Sequence, residues 1–545
     1  MNRLGLLLIL ALSRVHAQGT DFVVDNQGTV YFAPPYAILR GEEPPAPMRL
    51  FRLLNRVEVY ATPPAHPTLA TSVANPTVSA DGLTLAYSNV FSVPGKYTGY
   101  IDHVEGVIEK TTPFSRLIIR REGMVGVSRN GRWALFTKTG RAESTGSTWI
   151  DFYTGQEYES AESGLPVSSI ADDGSVAVTS PDGIRILTPG RPVRSFELKP
   201  GLTEGTFLSR DGSTLVLVQR SSASDTVVRR IDLESGMETT VSSQCFGCSP
   251  YALSADSTRL FLVTLSAPGN DLAEGHAAIQ VLDLRDGSLS TLAILDKEPV
   301  RLTVSDDASS VWVATQNWGI LHLDVNSGNV TEMLAETPSV SAGDMLIAPG
   351  AWCKLTGHAM AEGRVLLGTH EVAVRQRSAT SMFVVINPDT PLGTASFEIE
   401  NPRSPFRSVS NPIRVVPRYP RFIRLESLGE TAPDWIGVPL VISESNGDLI
   451  NPARPALPGE VLKVWLTGTG SDPSGLHWQY SDSPTGFEFQ STAILSIERF
   501  SGEPSWWVAR YRVPDVVSTG NFLLRSEEPS VPDSNDLIWI PVARP

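Results

Sequence analysis

The sequence predicts a protein built almost entirely of β-structure, with repeated units filling about its first 340 residues. Gly and Pro are abundant, at 44 and 41 of 545 residues, and no long segment has the apolar period of a helix. A short pattern recurs down the chain: an apolar residue and often Ser, a polar turn, and a second apolar strand. Short strands joined by tight turns are therefore expected throughout.

The repeat is clearest in VSADGLTLAYS, Val78 to Ser88, which predicts two antiparallel strands joined at Asp81-Gly82. The other copies are VSRNGRWALF (127–136), IADDGSVAVT (170–179), LSRDGSTLVLV (208–218), LSADSTRLFLV (253–263), VSDDASSVWVA (304–314) and the weaker VVDNQGTVYFA (23–33). The intervals between turns are 54, 49, 43, 38, 45 and 51 residues, which suits one four-stranded unit each. Seven such units predict a seven-bladed β-propeller over residues 18–340.

A second marker supports the four-stranded unit. A strand that ends in Asp precedes a turn that ends in Gly at residues 102–106, 151–155, 232–236, 283–287 and 324–328. The expected order is strand, polar turn, strand, loop, strand, Asp-to-Gly turn and strand. A single sheet of this kind cannot cover both of its faces, so the units must stack around an axis.

The residues of the first turn in each unit have predicted structural roles. Gly supplies positive φ, and Asp or Asn bonds its own backbone. Calcium binding is the alternative, but each copy has only one or two carboxylates, so no metal site is predicted. The turn residues are Asp81, Gly82, Asn130, Gly131, Asp173, Gly174, Asp211, Gly212, Asp256 and Asp307.

The first 17 residues predict a secretory signal peptide. Arg3 precedes the apolar run Leu4 to Leu12, and Val15-His16-Ala17 suits cleavage before Gln18. A membrane anchor is the alternative, but the run is too short to span a bilayer, and no transmembrane helix is expected elsewhere. The expected location is secreted, periplasmic or in the cell envelope. The net charge of −15 makes nucleic acid a poor partner.

Three cysteines occur, and Cys245 and Cys248 form a C-x-x-C pair. In an exported protein this pair favours a small structural disulfide over a redox motif, and a metal site would need a second pair of ligands. Cys353 lies in the apolar run AWCKLTG and is expected to be buried and inert.

Ser-x-Asp-Gly followed by an apolar strand resembles the propeller repeats of the TolB-like and WD40-like family, over about residues 20–340. The resemblance implies a propeller fold and says almost nothing about activity.

The repeat period stops near residue 333, and residues 336–348 are predicted to be a linker. Beyond it, NGDLINPARPALPGEVLKVWLTGTG (446–470) resembles the uncharacterised C-terminal domain of exported proteins of Solibacter and related acidobacteria. That resemblance implies two tandem Ig-like β-sandwich domains, at 345–418 and 419–545, and export. One departure is SMFVV at 381–385, where the family has a polar Gln-Ile-Asn segment, so a contact made there is in doubt.

No catalytic residues are predicted. The sequence has no Gly-x-Ser-x-Gly nucleophile motif, no phosphate-binding loop and no paired histidines at metal-ligand spacing. The alternative is a propeller enzyme, either a lactonase-like hydrolase or quinoprotein-like, with a metal or cofactor site in the central channel. Such a site would combine residues far apart in the chain. Possible aromatic platforms for sugar are Tyr31, Trp312, Trp318 and Trp506-Trp507, although packing explains most strand aromatics.

The sequence therefore predicts an exported, monomeric, non-catalytic binding protein without cofactor. Its propeller would bind a protein, peptide or glycan outside the cytoplasm, and its Ig-like tail would act as a spacer or as a surface or export module.

Overall fold

A computed structural model places the chain in two compact units, Met1–Glu336 (unit 1) and Thr337–Pro545 (unit 2). It describes residues 21–34, 38–39, 49–66, 68–93, 100–112, 115–137, 146–161, 170–180, 183–197, 202–220, 226–243, 248–265, 276–343, 346–425, 438–469, 473–482, 489–503, 505–515, 521–527 and 536–543. The predicted signal peptide lies outside these residues. Within them, no helix has the length and apolar character needed to cross a membrane.

The described residues of unit 1 form seven consecutive antiparallel sheets, here called sheets 1 to 7. Sheets 1 to 3 comprise β1 (Asp21–Val24), β2 (Val30–Ala33), β4 (Leu50–Leu53) and β5 (Val57–Ala61); β6 (Ala70–Val78), β7 (Thr84–Val93), β8 (Tyr100–Thr112) and β9 (Ser115–Glu122); and β10 (Met124–Val127), β11 (Trp133–Thr137), β12 (Ser147–Asp151) and β13 (Glu157–Ser160). A two-residue strand, β3 (Ile38–Leu39), lies between β2 and β4 in the sequence.

Sheets 4 to 7 follow in the same order. They comprise β14 (Val176–Ser180), β15 (Gly183–Leu187) and β16 (Arg194–Phe196); β17 (Leu202–Leu208), β18 (Thr214–Arg220), β19 (Thr226–Asp232) and β20 (Glu238–Ser243); β21 (Cys248–Leu253), β22 (Arg259–Leu265), β23 (Ala277–Asp283) and β24 (Leu289–Leu295); and β25 (Pro299–Val304), β26 (Ser310–Thr315), β27 (Ile320–Asp324) and β28 (Val330–Leu334). Sheet 4 has three described strands, and residues 162–169, which precede its turn, lie outside the description.

The sheets of unit 1 return to their starting point. First strands of neighbouring sheets contact one another, as β1 contacts β6 and β21 contacts β25, and β1 of sheet 1 also contacts β25 of sheet 7. Hydrophobic clusters fill the spaces between consecutive sheets. Between sheets 2 and 3, for example, Ala86 and Ile108 pack with Val125 and Phe136. Each sheet thus covers a face of its neighbour, and each fully buried large side chain contributes roughly 1.5–3 kcal/mol.

Unit 2 is also built of antiparallel strands. Its first part comprises β29 (Ser339–Ala342), β30 (Leu346–Ile347), β31 (Trp352–His358), β32 (Arg364–Leu367), β33 (His370–Glu371), β34 (Ala373–Arg377), β35 (Ser381–Val385), β36 (Gly393–Ala395), β37 (Phe397–Glu400), β38 (Phe406–Val409) and β39 (Ile413–Val415). The hydrogen-bonded orders are β29-β31-β35-β34, β38-β37-β32-β33 and β30-β39-β36. β30 and β39 are parallel; the other pairs are antiparallel.

The second part of unit 2 comprises β40 (Arg421–Phe422), β41 (Val441–Ser443), β42 (Val461–Thr467), a 3₁₀ turn (Pro473–Gly475), β43 (His477–Ser481), β44 (Gln490–Ser491), β45 (Ser496–Arg499), β46 (Trp506–Arg512), β47 (Asn521–Glu527) and β48 (Asp536–Pro541). The orders are β40-β42-β46-β45, with β41 also on β42, and β44-β43-β47-β48. Each part has its own hydrophobic cluster, one drawn from residues 340–419 and the other from residues 422–542.

Aromatic and polar contacts join the two parts of unit 2. The rings of Trp352 and Trp506 meet edge to face, with centroids 4.9 Å apart. Trp352 Nε1 donates to Ser505 Oγ at 3.0 Å, and the backbone N–H of Trp352 donates to Thr467 Oγ1 at 3.1 Å. These contacts hold β31 of the first part against β42 and β46 of the second.

Two local predictions differ from the structure. The Asp-to-Gly turn predicted at 102–106 is wrong, because β8 runs without a break from Tyr100 to Thr112 and Gly106 lies opposite Ser88 of β7. Gly106 instead allows close packing, since a Cβ there would lie 2.8 Å from Val125 Cβ. The linker predicted at 336–348 contains β29 and β30, whose residues Val340, Ala342 and Ile347 are buried in the core of unit 2.

Candidate functional site

In the sheets of unit 1, side chains of the turn between the first and second strands close that turn. Ser209 Oγ donates to Asp211 Oδ1 at 2.6 Å, Asp211 Oδ1 also accepts the backbone N–H of Ser213 at 3.0 Å, and Ser209 Oγ accepts the N–H of Thr214 at 2.8 Å. The same Ser–Asp or Ser–Asn bond, at 2.6–2.7 Å, occurs for Ser79–Asp81, Ser128–Asn130, Ser254–Asp256 and Ser305–Asp307. In sheet 4, where Ala171 replaces the serine, Asp173 accepts from both the N–H and Oγ of Ser175.

The glycine that follows each turn residue adopts positive φ, at +71° in Gly82, +69° in Gly131, +86° in Gly174 and +74° in Gly212. In the two looser copies the position is held by Ser257 at +55° and Ala308 at +54°. A residue with a side chain is strained at positive φ, so the backbone of Ser257 and Ala308 keeps this conformation only because the surrounding structure fixes it.

Backbone hydrogen bonds connect the turns of successive sheets. Asn26 N–H donates to Ala80 O at 2.9 Å, Ala80 N–H to Arg129 O at 2.6 Å, and Asp172 N–H to Arg210 O at 2.7 Å. Between the turns of sheets 3 and 4 the link is made by a side chain, since Asn130 Nδ2 donates to Asp172 O at 3.0 Å. The residues immediately before the seven turn positions therefore lie together; we call them the hub residues: Asn26, Ala80, Arg129, Asp172, Arg210, Ala255 and Asp306.

Four charged hub residues form one ion-pair network. Asp306 accepts from Arg129 Nε at 3.0 Å, from Arg210 Nη1 at 2.9 Å and from Asn26 Nδ2 at 2.9 Å. Arg210 Nε also pairs with Asp172 Oδ2 at 2.9 Å. The four side chains retain 20–31% exposure, and the network joins sheets 1, 3, 4, 5 and 7.

The network determines the charge state of Asp306. Burial alone would raise the pKa of Asp306, but hydrogen bonds from Asn26 and Arg129, together with the charges of Arg129 and Arg210, hold it below its ordinary value. Asp306 is therefore ionised at neutral pH. The two guanidinium groups and two carboxylates of the network balance one another in charge.

A polar pocket of about 280 Å³ opens beside the network, between sheets 5 and 6. Its lining includes Asp172, Arg210, Asp211, Arg230, Asp256 and Ser257. Among the described residues, no backbone hydrogen bond connects the turn of sheet 5 to that of sheet 6.

The chemistry of this region favours binding over proton transfer. The pKa values of Asp211 and Asp256 are lowered because serine and backbone donors outweigh the effect of burial, so both groups are ionised and are weak bases. In the described parts of the chain, no group of three or more His, Cys, Asp or Glu is arranged to hold a metal ion. Guanidinium and carboxylate groups held in fixed positions are suited to hydrogen-bonding a polar ligand.

A larger, more open groove of about 420 Å³ lies in unit 2, along β29 and β31. Its lining has one titratable residue, His358, beside Ser339, Ser341, Thr356 and Thr380. It offers fewer groups for specific recognition than the pocket between sheets 5 and 6.

The predicted cysteine pair cannot be placed. Cys245 and the side chain of Cys248 lie outside the described residues, although the backbone of Cys248 begins β21. Cys353 is a buried free cysteine in unit 2.

Sequence reasoning identified the turn residues but missed the hub residues. A signal was present: the position before each turn residue is charged in four of the seven copies, Arg129, Asp172, Arg210 and Asp306. Since equivalent positions of a closed repeat meet at one end, opposite charges at such a position indicate mutual pairing.

Several solved structures resemble part of the chain at low identity. TolB from Acinetobacter baumannii is 16% identical over 48% of this chain and 62% of its own, with a TM-score of 0.31, so this chain spans less than two thirds of TolB. The periplasmic gluconolactonase of Pseudomonas aeruginosa is 17% identical over 54% of this chain and 94% of its own, with a TM-score of 0.35. The WD40 repeats of RRP9 are 12% identical, over 55% and 88%, with a TM-score of 0.36.

No family model and no curated protein sequence matches the chain. The resemblance is thus a distant structural one to β-propellers, over about half of an all-β protein, and it assigns no family.

Proposed function

We propose that this chain is an exported binding protein, in which unit 1 is a seven-bladed β-propeller that holds a polar partner against its hub residues. The observation that carries the proposal is the network of Asn26, Arg129, Asp172, Arg210 and Asp306, which lies partly exposed beside a polar pocket. Its side chains are already oriented by one another, so a partner would meet a preorganised surface at little entropic cost.

In this proposal unit 2 forms two tandem Ig-like sandwiches that serve as a spacer or as a surface or export module. The support is the pair of separate hydrophobic clusters, which divide between Tyr419 and Phe422, near the boundary taken from the sequence. Export rests on the apolar leader pattern of residues 1–17. The proposed partner is a protein, peptide or glycan outside the cytoplasm, bound by a monomer without cofactor.

The test combines capture with mapping. The full mature chain is immobilised, exposed to the native secretome and to a glycan array, and any ligand found is added back in a hydrogen-exchange experiment. We expect slower exchange in the turn segments 79–84, 128–133 and 209–214, with the outer strand β24 unchanged as an internal control.

Two outcomes would overturn the proposal. One is protection confined to the outer strands, which would place the binding surface elsewhere. The other is absence of any ligand together with turnover of a lactone or ester panel and a stoichiometric metal in elemental analysis, which would favour the propeller-enzyme alternative.

A further inference from the structure

The pocket between sheets 5 and 6 is lined by a second guanidinium besides that of Arg210. Arg230, on β19, lines the pocket and is half-buried, yet it makes no side-chain hydrogen bond or ion pair among the described residues. Arg210, on the same wall, is already engaged by Asp172 and Asp306. Within the described part of the structure, the five N–H donors of Arg230 are therefore available to a ligand.

The carboxylates that line the pocket with Arg230 keep unused acceptor positions. Asp256 Oδ1 accepts from Ser254 Oγ and Thr258 N–H, and Asp256 Oδ2 from Thr258 Oγ1, whereas an ionised carboxylate has about four acceptor positions. Asp211 is held in the same way by Ser209 and Ser213. The pocket lining thus combines the donors of Arg230 with spare acceptors of Asp211 and Asp256.

The balance of charge narrows the kind of ligand. Asp172 is offset by Arg210, which leaves Arg230 together with Asp211 and Asp256 as the remaining charged groups of the lining. Asp232, whose pKa is lowered chiefly by Ser235 and in part by Arg230, adds a further carboxylate near the guanidinium. An anion entering the pocket would be repelled by the carboxylates of Asp211, Asp256 and Asp232. A hydroxyl group avoids this repulsion, and it can both accept from Arg230 and donate to the carboxylates.

The size of the pocket agrees with a small group. A volume of about 280 Å³ lies just below the range of roughly 300–1,000 Å³ for drug-sized ligands. Ala255, the uncharged hub residue of sheet 6, contributes to the lining and leaves this space open.

We infer that this pocket binds a neutral polyhydroxylated group, such as the terminal sugar of a glycan, with Arg230 as the principal donor and Asp211 and Asp256 as acceptors. The inference rests on the proposed function. It specifies the polar partner as the terminal sugar of a glycan and the binding site as the pocket beside the hub residues.

The experiment titrates the full mature chain with neutral methyl hexosides, with a uronate and with a zwitterionic amino acid, by calorimetry and ligand-observed NMR. We expect binding of at least one neutral hexoside and weaker or undetectable binding of the uronate. Arg230→Met should lower the affinity at least tenfold. The matched control is Arg191→Met, at an exposed arginine in a turn of sheet 4 outside the pocket, and it should leave the affinity unchanged.

Folding and function are separated by further measurements. Arg230 makes no hydrogen bond or ion pair among the described residues, so Arg230→Met should unfold close to the wild-type temperature; Ala255→Leu, which fills the pocket, provides a second route to loss of binding. Preferred binding of the uronate or the amino acid, or hexoside binding unchanged in both pocket variants, would overturn the inference. A secretome partner that protects the hub turns but binds Arg230→Met normally would leave the proposed function intact and reject only this pocket.

Discussion

At the scale of single residues, the glycines of the turns differ in how closely they are packed. Gly212, at φ +74°, lies so near sheet 4 that a Cβ would meet Asp173 Oδ1 at 2.7 Å, whereas Gly236, at φ +71°, has nothing within 4 Å of that position. We expect Gly236→Ala to lower the free energy of unfolding by about 1–2 kcal/mol, the cost of left-handed backbone. Gly212→Ala should cost roughly 1–3 kcal/mol more through overpacking.

Denaturant unfolding of the two alanine variants measures this difference. Equal losses would contradict the close approach of the turn of sheet 5 to Asp173.

Asp151 provides a second residue-scale prediction, on pH. Hydrogen bonds from Arg132, and then from the backbone N–H of Tyr153, outweigh burial and lower the pKa of this carboxyl to about 2. A lowered pKa means that the interaction stabilises the protein fully above the ordinary value near 4 and is lost as pH falls toward 2. Asp151→Asn should cost about 1–3 kcal/mol at pH 7.

Thermal unfolding from pH 7 to pH 2 tests this sign. The gap between wild type and Asp151→Asn should shrink below pH 4. A gap that stays constant, or that grows in acid, would show that the Asp151 carboxylate is not the titrating group.

At the scale of elements, a buried carboxylate joins sheets 1 and 2. Glu109 on β8, with 5% of its side chain exposed, accepts from Tyr60 Oη of β5 at 3.1 Å and from Tyr87 Oη of β7 at 2.9 Å, and pairs with Arg116. Burial first, and then the carboxylate, raise the pKa of both tyrosines. Both hydroxyls therefore remain donors at neutral pH.

Glu109→Gln should lower the free energy of unfolding by roughly 1–3 kcal/mol, since buried donors lose their charged acceptor. Glu105→Gln, four residues away on the same strand, is the matched control. Glu105 has 29% exposure, pairs with Arg120, which is 50% exposed, and accepts from Asn89 Nδ2 at 2.9 Å. A glutamine can still accept from Asn89, so the loss of the exposed ion pair should cost less than about 1 kcal/mol. Chemical denaturation compares them, and equal effects would argue against Glu109 as the link between the sheets.

The boundaries of two strands show where a sequence pattern is enough to predict a strand and where it is not. β42 spans residues 461–467, the strand taken from the sequence, because a proline-glycine turn and a glycine bracket an apolar run. In β8, by contrast, the sequence pattern predicted a turn that the structure does not have. Asp102 and Gly106 have turn spacing, but the packing of sheet 3 against Gly106 favours a continuous strand there.

At the scale of the whole molecule, Asp306 couples parts of the chain that are distant in sequence. Its carboxylate joins Arg129 of sheet 3, Arg210 of sheet 5 and Asn26 of sheet 1. Asp306→Ala would leave two neighbouring guanidinium groups without their shared carboxylate. Because the group is partly exposed, we expect a loss of roughly 1–3 kcal/mol rather than the larger cost of a fully buried charge.

Hydrogen exchange distinguishes this coupling from a local defect. Asp306→Ala should accelerate exchange in the turns of sheets 1, 3 and 5 as well as sheet 7. Asp256→Ala removes a carboxylate whose hydrogen bonds among the described residues all lie within its own turn, so without ligand it should act within sheet 6 alone. Identical exchange patterns would mean that the hub network transmits nothing between the sheets.

The sequence by itself determined the repeated sheet and its turns, because strand alternation, Ser–Asp capping and glycine at positive φ are local properties. Only the tertiary structure decided what the hub residues do. Arg129, Asp172, Arg210 and Asp306 are separated by up to 177 residues in the chain, and their pairing exists because the sheets return to their starting point. The same holds for the pocket around Arg230, which is lined by residues of sheets 4, 5 and 6. The sequence shows that Arg230 is charged. Only the packing of the sheets decides which of the described groups lie near it.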